Sequence, residues 1–255
     1  MRRPEPALAL CLLLAACASG GGSRDADGQG SSGAGRMSST GRMNLALAEG
    51  YLVKGDFAKA GERADLALES DPRSAQAHAL RALVYQHDGK DDAAARGFER
   101  ALELAPKDGA ILNAHAAWLC EHGQPDRADR EFALALADPA YRSPVQALAN
   151  AGKCAMAHDR LAPAEDYLRR ALVFAPKDPT LLYLLADVEL RQGKTFEAQA
   201  FIQRRDALGA DAATLDLAAR IEDAAGNERG AARYRARLRS DFPDHVPTGE
   251  GGRSP

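Results

Sequence analysis

Aromatic residues are scarce in this 255-residue chain, where Phe, Tyr and Trp together make up 5% and tryptophan occurs once. Alanine supplies much of the apolar content instead, which favours closely packed helices over a β-sheet. Strong charge of either sign is also missing, because the formal net charge is only -3. Without a basic footprint, no nucleic-acid partner is expected.

Catalytic signatures are missing as well. The sequence contains no GxSxG, no HExxH and no Gly-rich phosphate loop, and these are the patterns that place a nucleophile, a metal or a phosphate. The scattered Asp and Glu residues are what solvated helix faces need. We therefore predict neither an enzymatic activity nor a cofactor or catalytic metal.

The N-terminus has the pattern of a secretory signal, since two arginines after Met1 precede an apolar run from Ala7 to Ala16. This run is too short to span a bilayer, which takes about 20 residues. It leads directly into Cys17 and resembles the bacterial lipobox, in which the signal peptidase cuts before a diacylglyceryl-modified cysteine. We predict a signal peptide at residues 1–16 and acyl chains on Cys17. The alternative is a soluble periplasmic protein cleaved after Ala16.

More than one acyl chain turns marginal membrane binding into stable anchoring. In the lipoproteins that the chain resembles, an Asp directly after the cysteine retains the protein in the inner membrane, whereas here Ala18 and Ser19 follow. The resemblance implies attachment to the periplasmic face of the outer membrane. Residues 17–41 are rich in Gly and Ser and are predicted to be a flexible tether, and residues 246–255 a disordered tail.

A repeat occupies the chain between these ends. Proline follows the expected helix ends at four places, and the first two prolines are 34 residues apart: Asp71-Pro72, Ala105-Pro106, Ala175-Pro176 and Phe242-Pro243. Two residues after three of these prolines stands a helix-capping side chain, at Ser74, Asp108 and Asp178. Each repeat copy therefore ends one helix and begins the next at the same place in the pattern.

A second helix end is predicted near the middle of each repeat copy. Residues that tolerate a left-handed backbone recur there, namely Gly55, Gly89, Gly123, Asp159, Gly193 and Gly226. Small residues mark where paired helices touch, namely Ala48, Ala82, Ala116, Gly152, Ala186 and Ala219 in the first helices and Ala60, Ala94, Ala128, Ala164, Ala198 and Ala231 in the second. The pattern resembles the tetratricopeptide repeat (TPR). We predict an all-α fold, a right-handed superhelical TPR solenoid of about six helix pairs over residues 42–245, with a two-residue insertion before the fourth copy.

Stacked helix pairs present a concave groove, lined by the first helix of each pair. The repeat pattern predicts that the partner-binding residues of this groove are Leu45, Glu49, Leu52, Val53, Leu83, Gln86 and Asn113. Apolar residues facing solvent are costly unless a partner covers them. The alternative is that the helical phase is off by one residue and that Leu45, Leu52 and Val53 belong to the core.

Two cysteines remain for the folded part, Cys120 and Cys154, in corresponding helices of adjacent copies. In an oxidising compartment this even pair predicts a disulfide, and the geometry that a disulfide needs is within reach. One alternative is a zinc site with nearby histidines, namely His115, His122 and His158, which are otherwise expected to be solvated. Another is a pair of free thiols in the core.

The central segment carries a more specific resemblance. The sequence ILNAHAAWLC at residues 111–120 is followed by DPAYRSPVQALANAGKC at residues 138–154. Together with the lipobox, the tether and the six repeats, these motifs resemble the type IV pilus biogenesis and stability family PilW, also called PilF. Ala114, His115 and Ala117 depart from the family's usual Asn, Tyr and Phe-type residues.

The resemblance implies a non-enzymatic adaptor, the pilotin of the pilus secretin. Such a lipoprotein binds secretin subunits so that they reach the outer membrane and assemble into a ring. The alternative is a TPR lipoprotein that docks cell-wall hydrolases or proteases in the periplasm through the same groove.

Overall fold

The computed structural model describes residues 37–245, which form twelve α-helices and, within that range, no β-strand. The predicted all-α TPR architecture is confirmed. The predictions for the signal peptide, Cys17, most of the tether and the C-terminal tail lie outside the described residues. The helices are α1 (Ser39–Val53), α2 (Phe57–Ser70), α3 (Ala75–His87), α4 (Asp91–Leu104), α5 (Gly109–Glu121), α6 (Pro125–Ala137), α7 (Pro144–Ala157), α8 (Leu161–Phe174), α9 (Pro179–Arg191), α10 (Thr195–Asp206), α11 (Ala212–Ala224) and α12 (Glu228–Asp241).

The predicted helix caps are confirmed. The side chains of Ser74, Asp108 and Asp178 accept hydrogen bonds from backbone amides in the first turns of α3, α5 and α9. Each cap satisfies amides that have no partner within the helix. The mid-repeat stops are confirmed too, because the predicted glycines have a positive φ and Asp159 takes the same conformation at φ 55°.

Helix α1 begins at Ser39, two residues before the predicted end of the tether at residue 41. The cause lies in two capping interactions at Ser38, whose side chain accepts a hydrogen bond from the Gly41 amide at 3.0 Å. The Asp71 carboxylate in turn accepts from the Ser38 amide at 3.0 Å and from its hydroxyl at 2.7 Å. A Cβ on Gly41 would lie 1.8 Å from Asp71 Oδ2, so this entry to the fold needs glycine.

The chain divides into two compact units, of which unit 1 comprises α1 to α6. Within it, each second helix packs against its own first helix and against the first helix of the next copy. The paired helices approach closely because the residues between them are alanines, and Phe98 and Phe132 fill the remaining space, fully buried.

The predicted insertion closes unit 1. Asp138 Oδ2 accepts a hydrogen bond from the Gly109 amide at 2.9 Å. Tyr141 covers the same glycine so tightly that an added Cβ would lie 2.7 Å from Tyr141 Cβ. Burial raises the pKa of the Tyr141 hydroxyl, and the insertion is therefore packed rather than loose.

Unit 2 comprises α7 to α12 in the same arrangement of helix pairs. Gly152 stands where the other copies have alanine, and a Cβ there would lie 2.7 Å from Leu168 Cγ. Unlike unit 1, this unit buries three acidic side chains in its first helices, Glu189, Asp216 and Glu222.

Candidate partner-binding surface

Helix α1 carries the predicted groove residues on one face. Leu45, Glu49 and Leu52 follow each other at helical spacing and are all half-buried, while Val53 is exposed. The core side of the same helix is formed by Asn44 and Ala48. The two leucines are therefore not the fully buried core residues that a shifted helical phase would give, and they keep apolar surface that a partner could cover.

Glu49 lies between these two leucines. Burial raises the pKa of its carboxyl group. No other side chain in residues 37–245 forms a hydrogen bond or ion pair with it. A desolvated carboxylate without a counter-charge costs free energy, so a cation or an N–H donor from a partner would be favourable here.

Gln86 on α3 offers a second polar group. Its Nε2 donates a hydrogen bond to Glu121 Oε2, whereas its Oε1 is buried and has no hydrogen-bond partner in residues 37–245. Burial raises the pKa of Glu121, although the hydrogen bond from Gln86 acts in the opposite direction. Because this oxygen is buried, a partner's N–H group could reach it only if the Gln86 side chain turned outward.

Leu83 and Asn113 were also predicted to line the groove, but the structure buries both. Leu83 is 4% exposed and Asn113 is 2% exposed. Both lie on first helices that are packed between two second helices, whereas α1 has only α2 as such a neighbour. These two residues therefore leave almost no surface for direct contact, and the accessible part of the predicted set is on α1 and at Gln86.

A cavity that the sequence did not predict lies at the α1–α2 turn of unit 1, with a volume of about 720 Å³. One wall is the stacked pair of Phe57 and His87, with ring centroids 3.6 Å apart. Another is the ion pair of Arg81 Nε with Asp65 Oδ1, at 2.7 Å. The cavity forms where the α1–α2 turn meets α2 and α3, so no single stretch of sequence indicates it.

Cys120 and Cys154 are both disulfide-bonded in the structure, the state that the even pair predicted. A disulfide sulfur is not a thiolate, and only a thiolate is a good zinc ligand. The zinc alternative would therefore require reduction first.

The expectation that the histidines are solvated is wrong for His115, which is buried with Nδ1 2.7 Å from Glu131 Oε2. His122 is half-buried and stacks on Trp118 at 4.2 Å between centroids. Both rings share a helical face with Trp118, and that face packs against Phe98. His115 and Trp118 are therefore part of the core of unit 1, and His122 stacks on that core.

None of the helices in residues 37–245 is long and apolar enough to cross a membrane. Six helix pairs with alanine contacts, capped starts and left-handed stops define a TPR protein. No family model matches the chain, but individual proteins do. The chain resembles the crystal structure of PilW, a widely conserved type IV pilus biogenesis factor, with TM-score 0.76 and 30% identity over 82% of this chain and 97% of that chain.

A second relative is the type IV pilus assembly protein PilF of Pseudomonas aeruginosa, 25% identical over 200 residues, which cover 78% of this chain and 79% of that protein. The solved PilF structure has TM-score 0.71 and 24% identity, covering 81% of this chain and 93% of that chain. The chain belongs to the PilF/PilW family of type IV pilus biogenesis TPR proteins, as the motifs at residues 111–154 predicted.

Proposed function

We propose that this protein is a pilotin, an outer-membrane lipoprotein adaptor that binds subunits of the pilus secretin. Binding would promote their localisation to the outer membrane and their multimerisation. The family supports a role in pilus biogenesis, and the helix-pair architecture supports binding of a protein. The observation that carries the proposal is the half-buried apolar stripe of α1, Leu45 and Leu52, which flanks the unpaired Glu49.

The chemistry of this surface defines the segment that would fit. Leu45 and Leu52 offer apolar area, and covering what remains exposed on a half-buried leucine stabilises a complex by about 1 kcal/mol each. Glu49 favours a cationic or N–H donor group between two apolar side chains. The expected partner is thus a mainly apolar secretin segment with a basic residue.

The acyl anchor would bring the bound secretin subunit to the outer membrane. Acyl chains on Cys17 would hold the complex at the membrane, and the Gly/Ser tether would let the TPR units reach the secretin subunit. In this account the protein performs no chemistry. It raises the local concentration of secretin subunits at the outer membrane, where they assemble.

The test is a gene deletion in the native host followed by a blot of unboiled membrane fractions for high-mass secretin. We expect the multimer to disappear and to return with the wild-type gene, but not with Cys17→Ser. Leu52→Glu should fail to restore it, because a charge would replace the apolar contact. Leu134→Glu is the matched control, since Leu134 is an exposed leucine on α6, away from the α1 stripe.

Normal multimers in the deletion strain would contradict the pilotin role and favour the docking of hydrolases or proteases. Restoration by Leu52→Glu together with failure of Cys17→Ser would keep the anchor but remove the α1 stripe as the binding site.

A further inference from the structure

The end of α8 exposes two large apolar side chains next to each other. Val173 is 78% exposed and Phe174 is 63% exposed. The same repeat position is occupied by Glu69 and Ser70 in the first copy and by Ser240 and Asp241 in the sixth. The second and fifth copies carry Leu104 and Leu208 at the position of Phe174, and Leu104 packs against the core of its unit. The fourth copy differs in exposing two adjacent large apolar side chains.

Basic side chains surround the tip. Lys177 follows it in the α8–α9 turn, and Arg204 Nη2 donates a hydrogen bond to the Pro176 carbonyl at 2.9 Å, which holds the last turn of α10 beside this turn. Leu208, which is exposed, follows one turn after Arg204. Arg170 lies one turn before Phe174 on α8.

The acidic groups nearby are largely engaged. Asp166 pairs with Arg170 at 3.3 Å, and Asp178 caps α9 through the Thr180 and Leu181 amides. Lys177 and Arg204 therefore keep a positive charge beside the apolar tip.

We propose that Val173 and Phe174 insert into a phospholipid surface while Lys177 and Arg204 meet anionic headgroups. Aromatic and aliphatic side chains flanked by Lys and Arg are what interfacial membrane contact uses. Two protruding side chains and Leu208 offer far less area than the roughly 800 Å² per partner of a stable protein interface. These side chains are better suited to a phospholipid surface, into which single side chains can insert. This contact is separate from the acyl anchor, because it uses side chains of unit 2.

The test is flotation of the full chain carrying Cys17→Ser, so that no acyl chain contributes, with vesicles of phosphatidylcholine and about 30% phosphatidylglycerol. We expect the protein to float with the vesicles and high salt to weaken the binding. The double variant Val173→Glu, Phe174→Ser, which restores the residues of the first copy, should lower the partition coefficient about tenfold or more.

Phe196→Ser is the matched control, because Phe196 is 78% exposed on the same unit but lies at the opposite end of α10 from Leu208. It should leave the partition coefficient unchanged, and far-UV circular dichroism should show that both variants are folded. Absence of vesicle binding by the Cys17→Ser protein, or an equal loss with Phe196→Ser, would overturn the proposal.

A change in the sedimentation coefficient on mutation of the tip, without a change in flotation, would identify a contact between copies and would also overturn it. These outcomes are independent of the secretin blot, which reports on the α1 surface.

Discussion

The two units differ at one repeat position, three residues after the small residue of each first helix. Unit 1 places aromatic or aliphatic residues there and unit 2 buries two glutamates. The residues are Tyr51, Tyr85 and Leu119 in unit 1 and Ala155, Glu189 and Glu222 in unit 2. Within unit 2, this position is thus filled by a small apolar residue in the fourth copy and by a hydrogen-bonded glutamate in the fifth and sixth.

The buried glutamates of unit 2 have their own donors. Arg169 Nη2 donates to Glu189 Oε1, and Lys194 Nζ lies 3.5 Å from Glu189 Oε2. Glu222 Oε2 accepts from the side-chain amides of Gln199 at 3.0 Å and Asn227 at 2.7 Å. Because a buried carboxylate is costly without such partners, the packing of unit 2 around Glu189 and Glu222 depends on these donors.

The largest expected effect comes from removing a buried aromatic side chain in unit 1. Phe98→Ala should lower the free energy of unfolding by about 4 kcal/mol, because Phe98 is fully buried and contacts both His115 and Trp118. Urea denaturation followed by circular dichroism measures this. Phe196→Ala, at an exposed phenylalanine, should cost almost nothing, and a similar loss for both variants would contradict the assignment of the core.

Removing a hydrogen-bond donor tests how unit 2 accommodates its buried glutamates. Arg169→Met should cost about 3 kcal/mol at pH 7, because Glu189 remains fully buried with only Lys194 near it. Burial, followed by repulsion from Glu165, raises the pKa of Glu189, so a more acidic pH should protonate Glu189 and shrink the loss. Arg170→Met removes only an exposed ion pair with Asp166 and should cost about 0.5 kcal/mol or less. Equal losses for the two variants would show that Glu189 does not depend on Arg169.

Acid should weaken unit 2 through Glu165. Burial acts to raise the pKa of this carboxyl, but hydrogen bonds from Lys194, Arg169 and Gln192 outweigh burial and lower the pKa to about 2. A depressed pKa contributes stability that is fully present above the ordinary value of 4.5 and is lost as the pH falls towards 2. On acidification, the unfolding free energy of Glu165→Gln should therefore fall by about 2 kcal/mol less than that of the wild type. Parallel stability–pH curves for the wild type and this variant would contradict the role of Glu165.

The smallest predicted effect concerns the start of α1. Asp71→Ala should loosen the first turn of α1, because the carboxylate that accepts from the Ser38 amide and hydroxyl is lost. Amide hydrogen exchange at Gly41 and in the first turn of α1 should accelerate, while α3 keeps its protection. Glu69→Ala, two residues earlier at the end of α2, is the control and should leave the exchange unchanged.

Features that depend on a few neighbouring residues could be predicted from the sequence. The caps at Ser74, Asp108 and Asp178 and the left-handed Asp159 follow from local backbone chemistry. The start of α1 was predicted too late in the chain: Ser38 caps it through the Gly41 amide, and Asp71, which is distant in sequence, holds Ser38 in place.

Features that depend on packing could not be predicted in the same way. The repeat pattern placed Leu83 and Asn113 on the face of the first helices, but how much of each side chain stays exposed depends on the helices beside it. Likewise, the burial of His115 depends on Phe98 and Glu131, which lie on other helices. For the candidate surface, the sequence indicated the α1 stripe, and the structure added the desolvation of Glu49 between its two leucines.

The most direct test of the proposed secretin contact is photo-crosslinking in the native host with a photoreactive amino acid at position 52 or, as a control, at position 134. If the α1 stripe binds the secretin, position 52 should give a crosslinked band that contains both proteins, and position 134 should give none. A band from position 134 but not from position 52, with both variants folded and membrane-associated, would contradict the account.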